Sequence, residues 1–98
     1  MEKLDYYISK NPPIAGPYFS RGMARLQNND FQGAIEDFDN AIKIEDNNAK
    51  FYKYRGMAKL RANDIDGAYK DFEKTLQIDP NDKMALSQKK RLETIKNN

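Results

Sequence analysis

Three pairs of acidic residues sit two positions apart: Asp37 and Asp39, Asp64 and Asp66, Asp71 and Glu73. Paired carboxylates can act as acid and base, but only if they converge on one reacting atom. On a helix, residues two apart point in different directions, so these pairs read as surface charges and helix caps. Ser9, Ser20 and Ser87 supply hydroxyls, yet the chain has no His and no Cys. A serine without an imidazole or comparable base is a poor nucleophile. Gly33 and Gly67 stand singly, unlike the glycines of a phosphate loop, and Asp30 and Asp64 lack the dense oxygen spacing of a calcium loop. We expect no catalytic residue, no cofactor, no metal site and hence no enzyme.

The chain bounds what could position such groups. Its 98 residues make one domain, 1–98, and 33% of them are charged against 39% hydrophobic, a balance that suits a helical protein with wide solvated faces. The N-terminus "MEKLDYYISKNPP" lacks the apolar centre of a signal peptide. No apolar run is long enough for a transmembrane helix, so a cytoplasmic protein is expected. Net charge is +2, too little to argue for nucleic acid. Lys50, Lys53, Arg61, Lys89, Lys90 and Arg91 are interleaved with Tyr52 and Tyr54, but phosphate binding would need them gathered on one face. The halves differ: residues 1–48 hold 5 Lys/Arg and 8 Asp/Glu, residues 49–98 hold 12 and 7. That end-to-end polarity reads either as uneven solvated faces or as head-to-tail attraction.

The chain says nearly the same thing twice. Shifted by 34, residues 15–48 fall on 49–82 without a gap and with 15 identities, among them Tyr18/Tyr52, Arg21/Arg55, Gly22/Gly56, Met23/Met57, Gly33/Gly67, Ala34/Ala68, Asp37/Asp71 and Phe38/Phe72. Each unit reads as two helices. Pro17 suits an opening helical turn, and Tyr18, Gly22 and Leu26 follow at helical spacing. Asn28-Asn29-Asp30 breaks the pattern, with Asp30 an N-cap for the next helix. That helix carries a stripe of Phe31, Ala34, Ile35, Phe38, Ile42 and Ile44; Asn47-Asn48 ends it. In the second unit Asn48 or a neighbour caps, Asn63-Asp64 turns and Asp79-Pro80-Asn81 stops. A mid-helix glycine costs about 1 kcal/mol relative to alanine, so its return implies a packing reason. We place Gly22 with Ala34, and Gly56 with Ala68, where antiparallel helices cross, and Phe38 and Phe72 between neighbouring hairpins.

Tyr52, Arg55, Gly56, Lys59, Ala68, Phe72 and Pro80, and in the first unit Tyr18, Arg21, Gly22, Arg25, Ala34, Phe38 and Ala41, carry a spacing that resembles the tetratricopeptide repeat. The departures are Arg for the usual Leu, a base for the usual Tyr, Thr75 for Ala, and Asp46 where the proline would stand. The resemblance covers 68 of the 98 residues. It implies an all-α solenoid of antiparallel hairpins in a right-handed superhelix of about six helices. Residues 1–14 would form a half-repeat helix with Leu4 and Ile8 in the places of Phe38 and Ile42. Residues 15–48 and 49–82 would be the repeats, and 83–98 a polar-backed cap. Met1 and that cap suggest a complete chain rather than a fragment.

Arg21 and Asp37, like Arg55 and Asp71, lie 16 apart and recur together. We expect an Arg–carboxylate bridge inside each hairpin, the alternative being independent surface charges.

The resemblance implies a concave surface lined by first helices. Its residues would be Phe19, Ser20, Met23 and Gln27 from the first unit and Lys50, Lys53, Tyr54, Met57 and Arg61 from the second, with Gln88 and Arg91 from the terminal helix. Met23 and Met57 serve equally well as adaptable binding residues or as packing against the adjoining helix. A groove part apolar and part basic suits a protein or peptide with apolar anchors and acidic residues. Phe19 and Met23 stand where chaperone-binding members of the family place Lys and Asn, so no C-terminal carboxylate clamp is expected. A protein-interaction scaffold is the first reading. The alternative is a module that stacks or swaps helices into a longer solenoid, a homo-oligomer.

Overall fold

The computed structural model describes residues 14–97. Five helices run through them: α1 (Ala15–Gln27), α2 (Phe31–Ile44), α3 (Ala49–Arg61), α4 (Ile65–Ile78) and α5 (Lys83–Lys96). That is one fewer than expected, because the helix anticipated within residues 2–10 lies outside the described residues. α2 stops at Ile44 and α4 at Ile78, short of the asparagines expected to end the first of them.

The turns follow from a few side chains. In both hairpins an asparagine, Asn29 or Asn63, takes a left-handed backbone conformation, with φ of 65° and 69°. Among residues with a side chain, Asn is one of the few that enter that region readily. The left-handed residue lets Asp30 N–H reach back to the Arg25 carbonyl and Asn29 N–H to that of Leu26, and Asp64 and Asn63 repeat this with Lys59 and Leu60. These bonds satisfy carbonyls that the ending helix leaves orphaned. The next helix begins at once, because the Asp30 carboxylate accepts from Gly33 N–H and that of Asp64 from Gly67 N–H, each at 3.0 Å. Gly33 and Gly67 recur for the same reason: a Cβ on either would fall on the capping carboxylate. Asn48 and Asp82 cap α3 and α5 through Lys50 N–H and Ala85 N–H.

α1 pairs chiefly with α2 and α3 with α4; α2 packs on α3 and α4 on α5. α1 and α3 also touch directly, so the first helices form one layer of the stack. The described core comes in segments rather than one mass. Ala15, Ala41 and Phe51 form one cluster, Ala34, Phe38 and Ala58 a second, and Ala68, Phe72, Ala85 and Leu92 a third. Phe38 and Phe72 therefore do join hairpins. What comes nearest to each of the two crossing glycines includes an aromatic ring of the paired helix. The atoms nearest to Gly22's missing side chain belong to the Phe38 ring, not to Ala34. A Cβ there would lie 2.7 Å from the ring's edge, and on Gly56 it would meet Phe72 at 3.1 Å. Ala34 and Ala68 sit in clusters that include Ala58 and Ala85 of the following helices and that pack against the preceding helix as well, through Leu26 and Leu60.

Gly22→Val forces the Phe38 ring out of its seat and lowers the unfolding free energy by about 1–3 kcal/mol. Gly16, with nothing within 4 Å of its would-be Cβ, behaves oppositely: Gly16→Ala gains up to about 1 kcal/mol. Urea unfolding monitored by circular dichroism measures both.

Candidate functional site

Two charge clusters lie inside the hairpins, and they overturn the reading of Asp37 and Asp71 as surface charges. Asp37 is 0% exposed and Asp71 3%. Arg21 on α1 grips Asp37 with Nε at 3.0 Å and Nη2 at 2.7 Å, and Arg25 one turn on adds Nη1 at 3.1 Å. In the second hairpin Arg55 holds Asp71 with Nε at 2.9 Å and Nη2 at 2.8 Å, and Lys59 Nζ stands 3.3 Å away. The expected bridges are therefore present, each with a second base. Arg55 does more than Arg21's described contacts would suggest: its Nη1 donates to Asp39 of the preceding hairpin at 2.8 Å. Hydrogen bonding to Asp71 is the main reason its pKa stands above the ordinary arginine value, with Asp39 adding to it. The Arg55 guanidinium also lies over the Tyr52 ring, 5.6 Å from its centroid. Tyr52 donates its hydroxyl to the Asp46 carbonyl at 2.7 Å, and burial, with the charge of Asp46 next, raises its pKa.

The residues anticipated for the groove divide. Phe19 is half-buried, its ring 5.1 Å from that of Phe51 and 5.8 Å from those of Phe38 and Tyr54. Met23 packs against the Phe38 cluster and Met57 against the Phe72 cluster, so both methionines contribute to core packing while half-exposed. Lys53 is not a free base. Its ammonium meets Asp82 at 2.9 Å and lies over the Tyr54 ring at 5.4 Å, tying α3 to the start of α5. Burial works against ionisation of Asp82, but Ala85 N–H and the Lys53 ammonium outweigh it, and its pKa falls below the usual aspartate value. Arg61 reaches back over Phe31, 5.0 Å from the ring centroid, and touches Asn29. Gln27, Ser20, Lys50 and Arg91 are exposed, and no described carboxylate pairs with Lys50, Arg61 or Arg91. Gln88 Oε1 is buried with no hydrogen-bond partner among the described residues.

A polarity invisible in the halves of the sequence crosses the layers. The first helices α1, α3 and α5 hold 12 Lys/Arg and one acid, Glu93, which accepts from the Tyr69 hydroxyl. The other acids among the described residues lie in the second helices and the turns. Among the described residues there is no enclosed pocket, no cluster of metal-ligating side chains, and no helix long and apolar enough to cross a membrane.

The sequence model of the tetratricopeptide repeat matches residues 15–48 and 49–82. The chain belongs to the tetratricopeptide repeat family. Among solved structures, the Arabidopsis OM64 tetratricopeptide domain is 33% identical with a TM-score of 0.85, over 91% of this chain and 76% of that one. The second such domain of human RPAP3, in complex with the HSP70 peptide SGPTIEEVD, is 25% identical with a TM-score of 0.88, over 94% and 77%. MamA, at 24% identity and a TM-score of 0.94, shares the fold over 98% of this chain, which spans 56% of MamA. No curated protein sequence matches the chain.

This member of the family departs from the usual pattern in a coordinated way. The two bases that replace Leu and Tyr, Arg21 with Arg25 and Arg55 with Lys59, are the partners of one buried aspartate. Thr75, fully buried where Ala is usual, turns its Oγ1 to the Asp71 carbonyl at 2.8 Å. The recurrence of Arg25/Lys59 beside Arg21/Arg55 was the signal for the second base. The acid at 39, 16 residues before Arg55, was the signal for a contact between hairpins.

Asp71→Ala strands two cations and lowers stability by about 3 kcal/mol or more. A double-mutant cycle with Arg55→Met returns a coupling of about 1 kcal/mol or more, and a cycle that closes to zero contradicts the buried bridge. Because the folded pKa of Asp82 is depressed, the unfolded chain binds more protons through that window. Asp82's contribution is therefore present at neutral pH and is lost as pH falls through the carboxylate range. Asp82→Asn gives a shallower loss of stability on acidification, followed by thermal unfolding at stepped pH.

Proposed function

We propose that this chain is a non-catalytic protein-interaction scaffold whose first helices receive a partner protein or peptide in a cytoplasmic setting. The observation that carries the reading is the charge segregation: twelve bases and one acid on the first helices. Potentials of one sign across a surface select partners of the other. Lys50, Arg61 and Arg91 supply the uncompensated charge, and Phe19, Met23, Tyr54 and Met57 the apolar contact, with Gln27 at its edge. Lys53 acts through Asp82, holding α5 in place. The partner is a segment with apolar anchors and acidic residues. Relatives of this fold in complex with chaperone peptides ending in EEVD support the use of the surface. The presence of Phe19 and Met23 in place of polar residues argues against a terminal-carboxylate clamp.

A displayed library of random peptides tests it. Selected sequences are enriched in Asp/Glu interspersed with Leu, Met or aromatics, and their affinity falls as salt rises. The double variant Lys50→Glu/Arg91→Glu weakens a selected peptide at least tenfold with unchanged circular dichroism. Amidation of the C-terminus of SGPTIEEVD leaves its binding unchanged. Selected peptides that bind the double variant as well as the wild type move the site elsewhere.

A further inference from the structure

We propose that Arg55 is a positioning residue: the relay Asp39–Arg55–Asp71 sets the angle at which the second hairpin meets the first, and so places the α3 part of the groove. The inference rests on the proposed use of the first helices only for its consequence, because α3 carries Lys50, Tyr54, Met57 and Arg61.

The geometry is that of a bracket. Arg55's Nε and Nη2 are locked by Asp71 of its own hairpin, and Nη1 points the other way to Asp39 on α2. Asp39 is 44% exposed, so the contact contributes little stability by itself. Its effect is directional. Asp71 already immobilises the guanidinium, and a planar fork so held loses little further freedom in taking a second carboxylate. The third hydrogen bond therefore fixes α2 relative to α3 at a defined point. Apolar packing at that junction, chiefly Phe38 with Ala58 and Ala34, is short-ranged but tolerant of small rotations.

The next junction is built otherwise. Glu73 and Lys89 occupy the places of Asp39 and Arg55 one period on, yet they form no ion pair. Lys89 stands over the Tyr69 ring at 5.9 Å instead. There α5 is held by Lys53–Asp82, Tyr69–Glu93 and Lys96–Asp66. An ammonium cannot bracket two carboxylates as a guanidinium does, which matches the absence of the bracket where Lys replaces Arg.

The test needs no ligand. Native-state hydrogen exchange and residual dipolar couplings are recorded for the wild type, Asp39→Asn, Asp39→Glu and Arg55→Lys. In the wild type the amides of α1–α2 and α3–α4 open together and the couplings fit one rigid frame. Asp39→Asn leaves the Arg55–Asp71 bridge intact, but the two hairpins separate in exchange, by about two- to fivefold in protection, and their couplings require two frames. Arg55→Lys does the same, and Asp39→Glu, which keeps a carboxylate, retains a single frame. Asp39→Asn data that superimpose on the wild type overturn the proposal. So does an Asp39→Glu variant that behaves like Asp39→Asn, since the effect would then be steric. Loss of peptide binding with an unchanged frame would instead bear on the groove.

Discussion

The architecture depends on an aromatic ring lying against a bare backbone. Phe38 over Gly22 and Phe72 over Gly56 bring the two helices of each hairpin close and carry the same ring into the cluster with the next hairpin. One side chain thus supplies both intra-hairpin and inter-hairpin packing. That is economical in a chain that can bury only a modest fraction of its surface. It also explains why the described core is segmented: each ring serves its immediate neighbours, as a stack of repeats requires. The alanines at 34 and 68 keep the following helix equally close, with Ala58 and Ala85 opposite them.

Beside the rings lies a choice that apolar packing does not dictate. Leucine and tyrosine, usual at the positions of Arg21 and Arg25, would bury without desolvation cost, and an ion pair taken from water is not in general more stabilising than a hydrophobic contact. What the buried aspartates add is selectivity of pairing. Asp37 accepts four hydrogen bonds from two arginines, and a helix sliding by one residue would leave a buried carboxylate without partners. Such a penalty disfavours wrong registers more sharply than a stripe of leucines does. It also discriminates between hairpins only weakly, because both repeats use the same recipe. Asp39 reaching Arg55 across the junction supplies a distinction that the internal bridges lack.

Much of this was legible before any coordinates. The period of 34 fixed the two hairpins, and Asp30 and Asp64 followed Asn-rich turns at places where a cap was needed. The Arg–Asp spacing of 16 was readable because both members return together. Two things were not. A helical period says which residues share a face but not which neighbour they meet, so the ring that lies against each of Gly22 and Gly56 is not readable from spacing alone. Charge was summed along the chain, although folding sorts it across the chain. Arg21, Arg25, Arg55 and Lys59 sit in different halves of the sequence and in one layer of the structure. Lys53 illustrates the limit for the groove. Its position on a first helix was correct, but its partner Asp82 is 29 residues away, at the last position of the second repeat, where the first repeat has Asn48 instead.

The sorting of charge has a physical origin that is independent of any ligand. Carboxylates are favoured at helix N-termini, where orphan N–H groups and the helix dipole attract them, and here Asp30, Asp64 and Asp82 occupy such ends in the turns. The two buried aspartates lie on second helices, so their bases must come from the first. Both demands push acids outward from the first helices and bases onto them. Once Asp37, Asp39, Asp71 and Asp82 have taken their partners, Lys50, Arg61 and Arg91 remain without a described carboxylate. The layer of first helices is thus left short of negative charge by the way the hairpins are built. A partner that brings its own carboxylates would complete there, between molecules, the same pairing of base and acid that holds the hairpins together within one.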